Sequence, residues 1–226
     1  MIDIDILRER VLATESALAE AAPGAPPELL AAGKYVAAED ITALEAAGIR
    51  LIGENRLQDL AAKHALADGV SFDFIGHLQR RKVKDVLPLV RLVHSVDSER
   101  LAREIANRSE GETRVLVEVN VAEEETKGGI VPSRLDEFVE KVSELDEIVI
   151  GGLMAMPPFS DTPEQSRPYF VALRELRDRL QQRYDGRHDV RELSMGTSQD
   201  HIVAAEEGAT IVRIGRGLVD PARVGA

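Results

Sequence analysis

The 226-residue sequence contains no cysteine. That absence excludes disulfides, thiolate metal sites, iron–sulfur clusters and cysteine nucleophiles. No apolar run approaches the roughly eighteen residues of a membrane-spanning helix, so no membrane association is expected. The opening Met1-Ile-Asp-Ile-Asp5 has no basic stretch ahead of an apolar one, so no secretion signal is expected. A cytoplasmic location follows as the expectation. Basic residues are in deficit: Lys+Arg 28 against Asp+Glu 40 give a net charge of -12. Such a surface repels nucleic acid, and none is expected as a partner. The run Arg80-Arg81-Lys82-Val83-Lys84 is the local exception, and it reads as a solvated helix start.

What is present is a core and an alternation. Hydrophobic residues make up 44% of the chain. An opening helix is read within 1–21, with Ile6, Leu7, Val11, Leu12 and Leu18 at helical spacing. The Pro/Gly-rich stretch 22–27 ends it. Eight short apolar runs follow, at 29–36, 50–53, 72–76, 92–96, 115–121, 148–156, 193–196 and 210–215. Amphipathic, charge-rich segments separate them, as at 39–47, 98–108, 132–145 and 163–184. Strand–helix alternation implies parallel strands with crossover helices. Eight repeats predict a closed (β/α)8 barrel of the TIM type rather than an open doubly wound sheet. No linker or composition break divides the chain, so 1–226 is read as one domain, with the barrel at 28–217.

A barrel of this kind keeps its chemistry at the C-terminal ends of the strands. Lys34 lies among small and apolar residues, late in the predicted first strand. An amine there is costly to bury unless paired or deprotonated, and deprotonation would make it a nucleophile toward an aldehyde. A lysine snorkelling to water is the plainer alternative. Asn55 follows the second strand, either as a helix N-cap or as a ligand contact. His77 follows the third. Ser95, Asp97 and Ser98 read as a strand end with a helix cap. After the seventh strand comes Ser194-Met-Gly-Thr-Ser198, where Met195, Gly196, Thr197 and Ser198 offer backbone amides, hydroxyls and close approach. Arg213, Gly215, Arg216 and Gly217 follow on the eighth. The loops after strands seven and eight form the usual phosphate site of such barrels. Strand eight neighbours strand one, so an amine and a phosphate cradle come together. A ligand with both an aldehyde and a phosphate fits, whether pyridoxal 5'-phosphate (PLP) or a sugar phosphate held as in class I aldolases.

The ordered set Gly33-Lys34, Gly53-Glu-Asn-Arg56, Phe74-Ile-Gly-His-Leu-Gln79, Lys82-Val83-Lys84, His94-Ser-Val-Asp-Ser98, Val119-Asn120, Gly151-Gly-Leu-Met154, Arg167-Pro168, Ser194-Met-Gly196, Ser198 and Val212-Arg-Ile-Gly215 resembles the YggS/PROSC family of pyridoxal phosphate homeostasis proteins. The resemblance implies the fold type III PLP barrel of the alanine racemase N-terminal domain. It implies PLP held as a Schiff base on Lys34, and a phosphate held by Ser198, Gly215 and the Arg216 backbone. Arg213 would approach the pyridine nitrogen and Asn55 would lie beside the ring. His77, Met195, Gly196 and Thr197 complete the expected set. An arginine at that nitrogen does not pass it a proton, which weakens the ring as an electron sink. The resemblance also implies a monomer that buffers PLP or delivers it to apo PLP-dependent enzymes. Departures are Gly33 where the family usually has serine, Thr197 where it commonly has methionine, and Arg216-Gly217 where it has Thr-Ala.

The alternatives are a fold type III amino-acid racemase, an aldolase-like Schiff-base enzyme and a binding scaffold. Lys34 is not followed by the racemase's Ala-Tyr-Gly-His-Gly pattern. Tyr169 and Tyr184 read as helix-face residues rather than as an opposite-face base, and 226 residues leave no room for the racemase's second, β-rich domain. The carrier is therefore the expectation.

Overall fold

The computed structural model describes residues 2–219. Helix α1 (Ile4–Ala21) opens the chain. Asp3 caps it, its carboxylate accepting from the Asp5 and Ile6 amides at 3.1 Å each. The strands and main helices then alternate in order: β1 (Glu28–Ala32), α2 (Ile41–Ala46), β2 (Leu51–Glu54), α3 (Leu57–His64), β3 (Ser71–Phe74), α4 (Val83–Val86), β4 (Leu92–Val96), α5 (Glu99–Arg108), β5 (Thr113–Glu118), α6 (Leu135–Val142), β6 (Ile148–Met154), α7 (Arg167–Arg183), β7 (Glu192–Thr197), α8 (His201–Glu206), β8 (Ile211–Ile214) and α9 (Arg216–Val219). All eight strands pair in parallel and close into a barrel, β8 lying against β1 with Leu30 opposite Arg213. The (β/α)8 barrel read from the sequence is the fold observed.

The strand period of two sorts the apolar residues into two cores. Leu30, Leu51, Leu92, Leu116, Met154 and Ile211 form a buried cluster inside the barrel. Their chain neighbours Ala31, Ile52, Val93, Val115, Leu153 and Val212 belong to the larger cluster between barrel and helices. α1 packs on α8, α2 and α9, and Arg10 ties it to the Leu218 carbonyl at 2.8 Å.

Four strands end two or more residues before the sequence expectation, β3 among them at Phe74 rather than at 76. β1 stops at Ala32, and residues Gly33–Tyr35 form a 3-10 turn. The apolar character continues through Val36, but the Gly33 carbonyl leaves the sheet to accept from Lys63 Nζ at 3.0 Å. β5 ends at Glu118, with Val119 making only an isolated bridge to Ile130, and β6 ends at Met154.

Candidate functional site

Lys34 stands two residues past the end of β1, in the middle of the 3-10 turn rather than on the strand, and its side chain is exposed at the C-terminal mouth. Burial is therefore not what distinguishes it: of the two sequence readings, the lysine reaching water is the one observed. Its Nζ lies 5.0 Å from the centre of the Tyr35 ring, and the Arg216 guanidinium lies 5.9 Å from that centre. Tyr35 thus sits between two cations, attracted by its ring face. Gly215 packs against this ring so closely that any Cβ there would overlap Tyr35.

Beneath the turn is a buried ion pair. Glu54, at the end of β2, accepts from Lys63 Nζ at 2.5 Å, and the two side chains are 0% and 4% exposed. Burial pushes the Glu54 carboxyl above its ordinary range, and the Lys63 hydrogen bond and charge pull against that shift. A Cβ at position 33 would occupy the space of Glu54 Oε1. A side chain at position 33 would therefore require the Glu54 carboxylate to shift from its place on Lys63.

The loops after β7 and β8 build a donor cradle. Ser198 Oγ accepts from the Gly215 amide at 3.2 Å and from the Gly217 amide at 3.3 Å. Two backbone N–H groups converging on one hydroxyl mark a place where an anionic oxygen can sit. The Arg216 amide makes no such bond among the described residues, which leaves it open beside the Gly215 and Gly217 amides. Gly196 adopts φ +88, and a Cβ would meet Ala204 on α8 at 2.5 Å. Helix packing alone therefore requires glycine here. The Thr197 amide and hydroxyl are both engaged by Asp200 Oδ1, at 2.7 and 3.2 Å. The Met195 side chain is buried in the shell core, which leaves only its backbone near the mouth.

Asn55 does not cap α3. Arg56 occupies the N-cap position, and Asn55 Oδ1 is buried without a partner. An orphaned acceptor at the strand end supports the ligand-contact role over the capping one. Ser98 is at the N-cap of α5 but makes no side-chain capping bond. His77 is exposed and faces Asp97 at 3.6 Å. Tyr169 lies on α7, and Tyr184 forms its C-cap.

Inside the barrel runs a polar chain that sequence reasoning missed. Arg213 is buried, and its Nη1 donates to the Ser194 carbonyl at 2.7 Å and Ser194 Oγ at 2.5 Å. Nη2 donates to the Ala155 carbonyl at 2.9 Å. Ser194 Oγ lies 2.9 Å from His94 Nδ1, and His94 Nε2 lies 3.0 Å from Asp73 Oδ2. Burial drives the His94 pKa down, with Asp73 pulling against it, so the ring is neutral. Burial alone would raise Asp73, but hydrogen bonds from His94 and Arg91 outweigh it and hold the carboxyl low. Arg213 is pulled down to about 10 by burial, with Asp200 and Glu118 opposing, and it stays charged at neutral pH. Burial, and then Asp97, push Glu118 up. The visible signal for this chain was an acid between two phenylalanines in β3 and a histidine at an inward position of β4.

Among the described residues, no group of three or more His, Asp or Glu could hold a metal, and no helix is long and apolar enough to cross a membrane. The alanine racemase N-terminal domain family matches residues 9–220. The pyridoxal phosphate homeostasis protein of Aquifex aeolicus is 47% identical over 193 residues, 83% of this chain and 84% of the relative. The human protein of the same name is 32% identical over 208 residues, 85% of this chain and 76% of the relative. Among solved structures, PipY of Synechococcus elongatus with PLP bound superposes with a TM-score of 0.82 at 29% identity, covering 94% of this chain and 99% of that one. The alanine racemase of Corynebacterium glutamicum, 12% identical with a TM-score of 0.75, shares the fold over 100% of this chain and 63% of its own.

Proposed function

The chain belongs to the YggS/PROSC family of pyridoxal phosphate homeostasis proteins, and from that premise we propose that it binds PLP covalently through Lys34 and buffers or delivers it without robust catalysis. The observation that carries this reading is the seam between β8 and β1. It sets the Ser198 cradle, the buried Arg213 and the Lys34 amine side by side at one rim.

The residues fit the group. Ser198 with the Gly215 and Gly217 amides would hold the phosphate, and Arg213 would face the ring nitrogen. Asn55, whose buried oxygen lacks a partner, would lie beside the ring, with the backbone of Met195 to Thr197 flanking the phosphate and His77 at the outer rim. Bound PLP supplies an aldehyde that reacts with amines and a ring that draws electrons. The Arg213 guanidinium holds its protons far more tightly than a pyridine nitrogen would, so it would hydrogen-bond the ring nitrogen without protonating it, and the ring stays a weak electron sink. That favours holding over transforming. Apo PLP-dependent enzymes are the proposed recipients, the cytoplasm the proposed location and a monomer the proposed state.

The test is the absorption spectrum of the protein with added PLP, beside Lys34→Ala. A band near roughly 420 nm, absent in the variant and trapped on Lys34 by borohydride, is expected. Amino acids added to the same cuvette should produce no D-enantiomer. The absence of any Lys34-dependent band overturns the proposal.

A further inference from the structure

The buried polar chain has a direction. An ionised carboxylate only accepts, so His94 Nε2–H donates to Asp73, 3.0 Å away. The neutral ring then leaves Nδ1 as an acceptor, which takes the Ser194 hydroxyl proton at 2.9 Å. Ser194 Oγ is thereby free to accept from Arg213 at 2.5 Å. Asp73 in turn is bonded by Arg91 Nε and Nη2, at 3.1 and 2.9 Å. Arg91 reaches the opposite rim and pairs with Glu28 at 2.9 Å. The chain thus crosses the barrel interior from one end to the other, and each link is satisfied.

Its last link leaves two of the five Arg213 donors over. A guanidinium has five N–H donors. Two go from Nη1 to Ser194 and one from Nη2 to Ala155. Nε–H and the second Nη2–H meet no acceptor among the described residues. Arg213 Nε is not among the fully buried atoms without a partner, so these left-over donors are open to an acceptor from outside the protein.

Resting on the cofactor reading above, we infer that Ser194, His94 and Asp73 are positioning residues that hold Arg213 by its Nη1 side and turn its remaining donors to the barrel mouth, where they read an unprotonated nitrogen in a heteroaromatic ring. A ring carbon at that position offers no lone pair, and a protonated nitrogen would set donor against donor. The chain therefore selects both the element and its protonation state.

The experiment compares affinity for PLP with affinity for its 1-deaza analogue, in which C–H replaces the ring nitrogen. Wild type is expected to prefer PLP about tenfold or more, the range of a charge-assisted hydrogen bond. Ser194→Ala keeps both backbone acceptors of Arg213 and removes only the hydroxyl. It should lower the preference to about threefold or less, while affinity for the deaza analogue stays within about twofold. His94→Leu should do the same, and His94→Gln, which keeps a donor and an acceptor, should restore the preference. A preference unchanged in Ser194→Ala overturns the inference. So does an equal loss for both ligands, which would mark a merely structural role. Wild type binding both ligands equally sinks this inference alone, whereas wild type binding neither sinks the proposed function with it.

Discussion

Replacing Lys63 by methionine removes the cation from the buried pair under the Lys34 turn. Two hydrogen bonds go, at 2.5 Å to Glu54 and at 3.0 Å to the Gly33 carbonyl. Glu54 is left with no counter-charge, and its Oε2 already lacks a partner. Breaking a buried pair from one side costs about 3–5 kcal/mol, because the remaining charge stays desolvated. For a domain of this size, 1 kcal/mol moves the melting temperature about 3 °C, so a fall of about 9–15 °C is expected at pH ~8. The sign of the pH dependence follows from the carboxyl. Its folded pKa is already raised by burial, and losing Lys63 raises it further. A carboxyl with a raised folded pKa costs nothing once both states are protonated, and destabilises as pH climbs through the folded value. The deficit of Lys63→Met should therefore shrink between pH ~8 and pH ~5. Adding Glu54→Gln removes the orphaned charge and should recover about half of the loss. Circular dichroism melts of the three proteins at both pH values measure this. A deficit under about 1 kcal/mol, or one that does not vary with pH, refutes the argument.

Other outcomes follow from the same geometry. Gly33→Ser should destabilise wild type but cost less in a Glu54→Ala background, where the added atoms have room; a thermal-melt cycle checks the coupling. Ser198→Ala should weaken PLP binding roughly tenfold, about 1.4 kcal/mol, with the melting temperature of the ligand-free protein little changed; a spectroscopic titration reads it. His188, buried against Ser143, has its pKa pulled down to about 4 by burial and then by Arg187. The unfolded chain takes up that proton near pH 6.5 and the folded one near 4, so the group's contribution is full above the former value and lost as pH falls to the latter, by about 3 kcal/mol. In His188→Gln this part of the acid destabilisation should vanish from chemical denaturation curves.

The barrel was legible because its evidence is local. Short apolar runs between amphipathic segments need no partner to be recognised, and eight of them became eight strands. Lys34 and the two glycine-bearing loops were legible by position. The end of β1 was not, because nothing in Gly33-Lys-Tyr-Val36 announces that a lysine on α3 captures the Gly33 carbonyl. Asn55 left a cap and a ligand contact both open because its residue type suits either, whereas the backbone places Arg56 at the cap. The interior polar chain draws on β3, β4, β7 and β8. Its members are many residues apart and meet only once the barrel closes, so the sequence shows Asp73 and His94 as isolated polar residues on strands but not their connection.

One strand holds both anchors of the proposed cargo. Arg213 lies within β8, and Gly215 follows two residues later on the same inward side. A parallel strand advances about 3.3 Å per residue, so roughly 6.6 Å of backbone separates the residue that bears the mark for the ring nitrogen from the residue that bears the mark for the phosphate. The backbone itself is the calliper, and it is rigid because β8 is hydrogen-bonded on both sides, by β7 and β1. A B6 vitamer without its phosphate spans only one mark. An insertion or deletion of one residue between the marks would flip one anchor out of the barrel, so this gauge cannot be retuned in small steps.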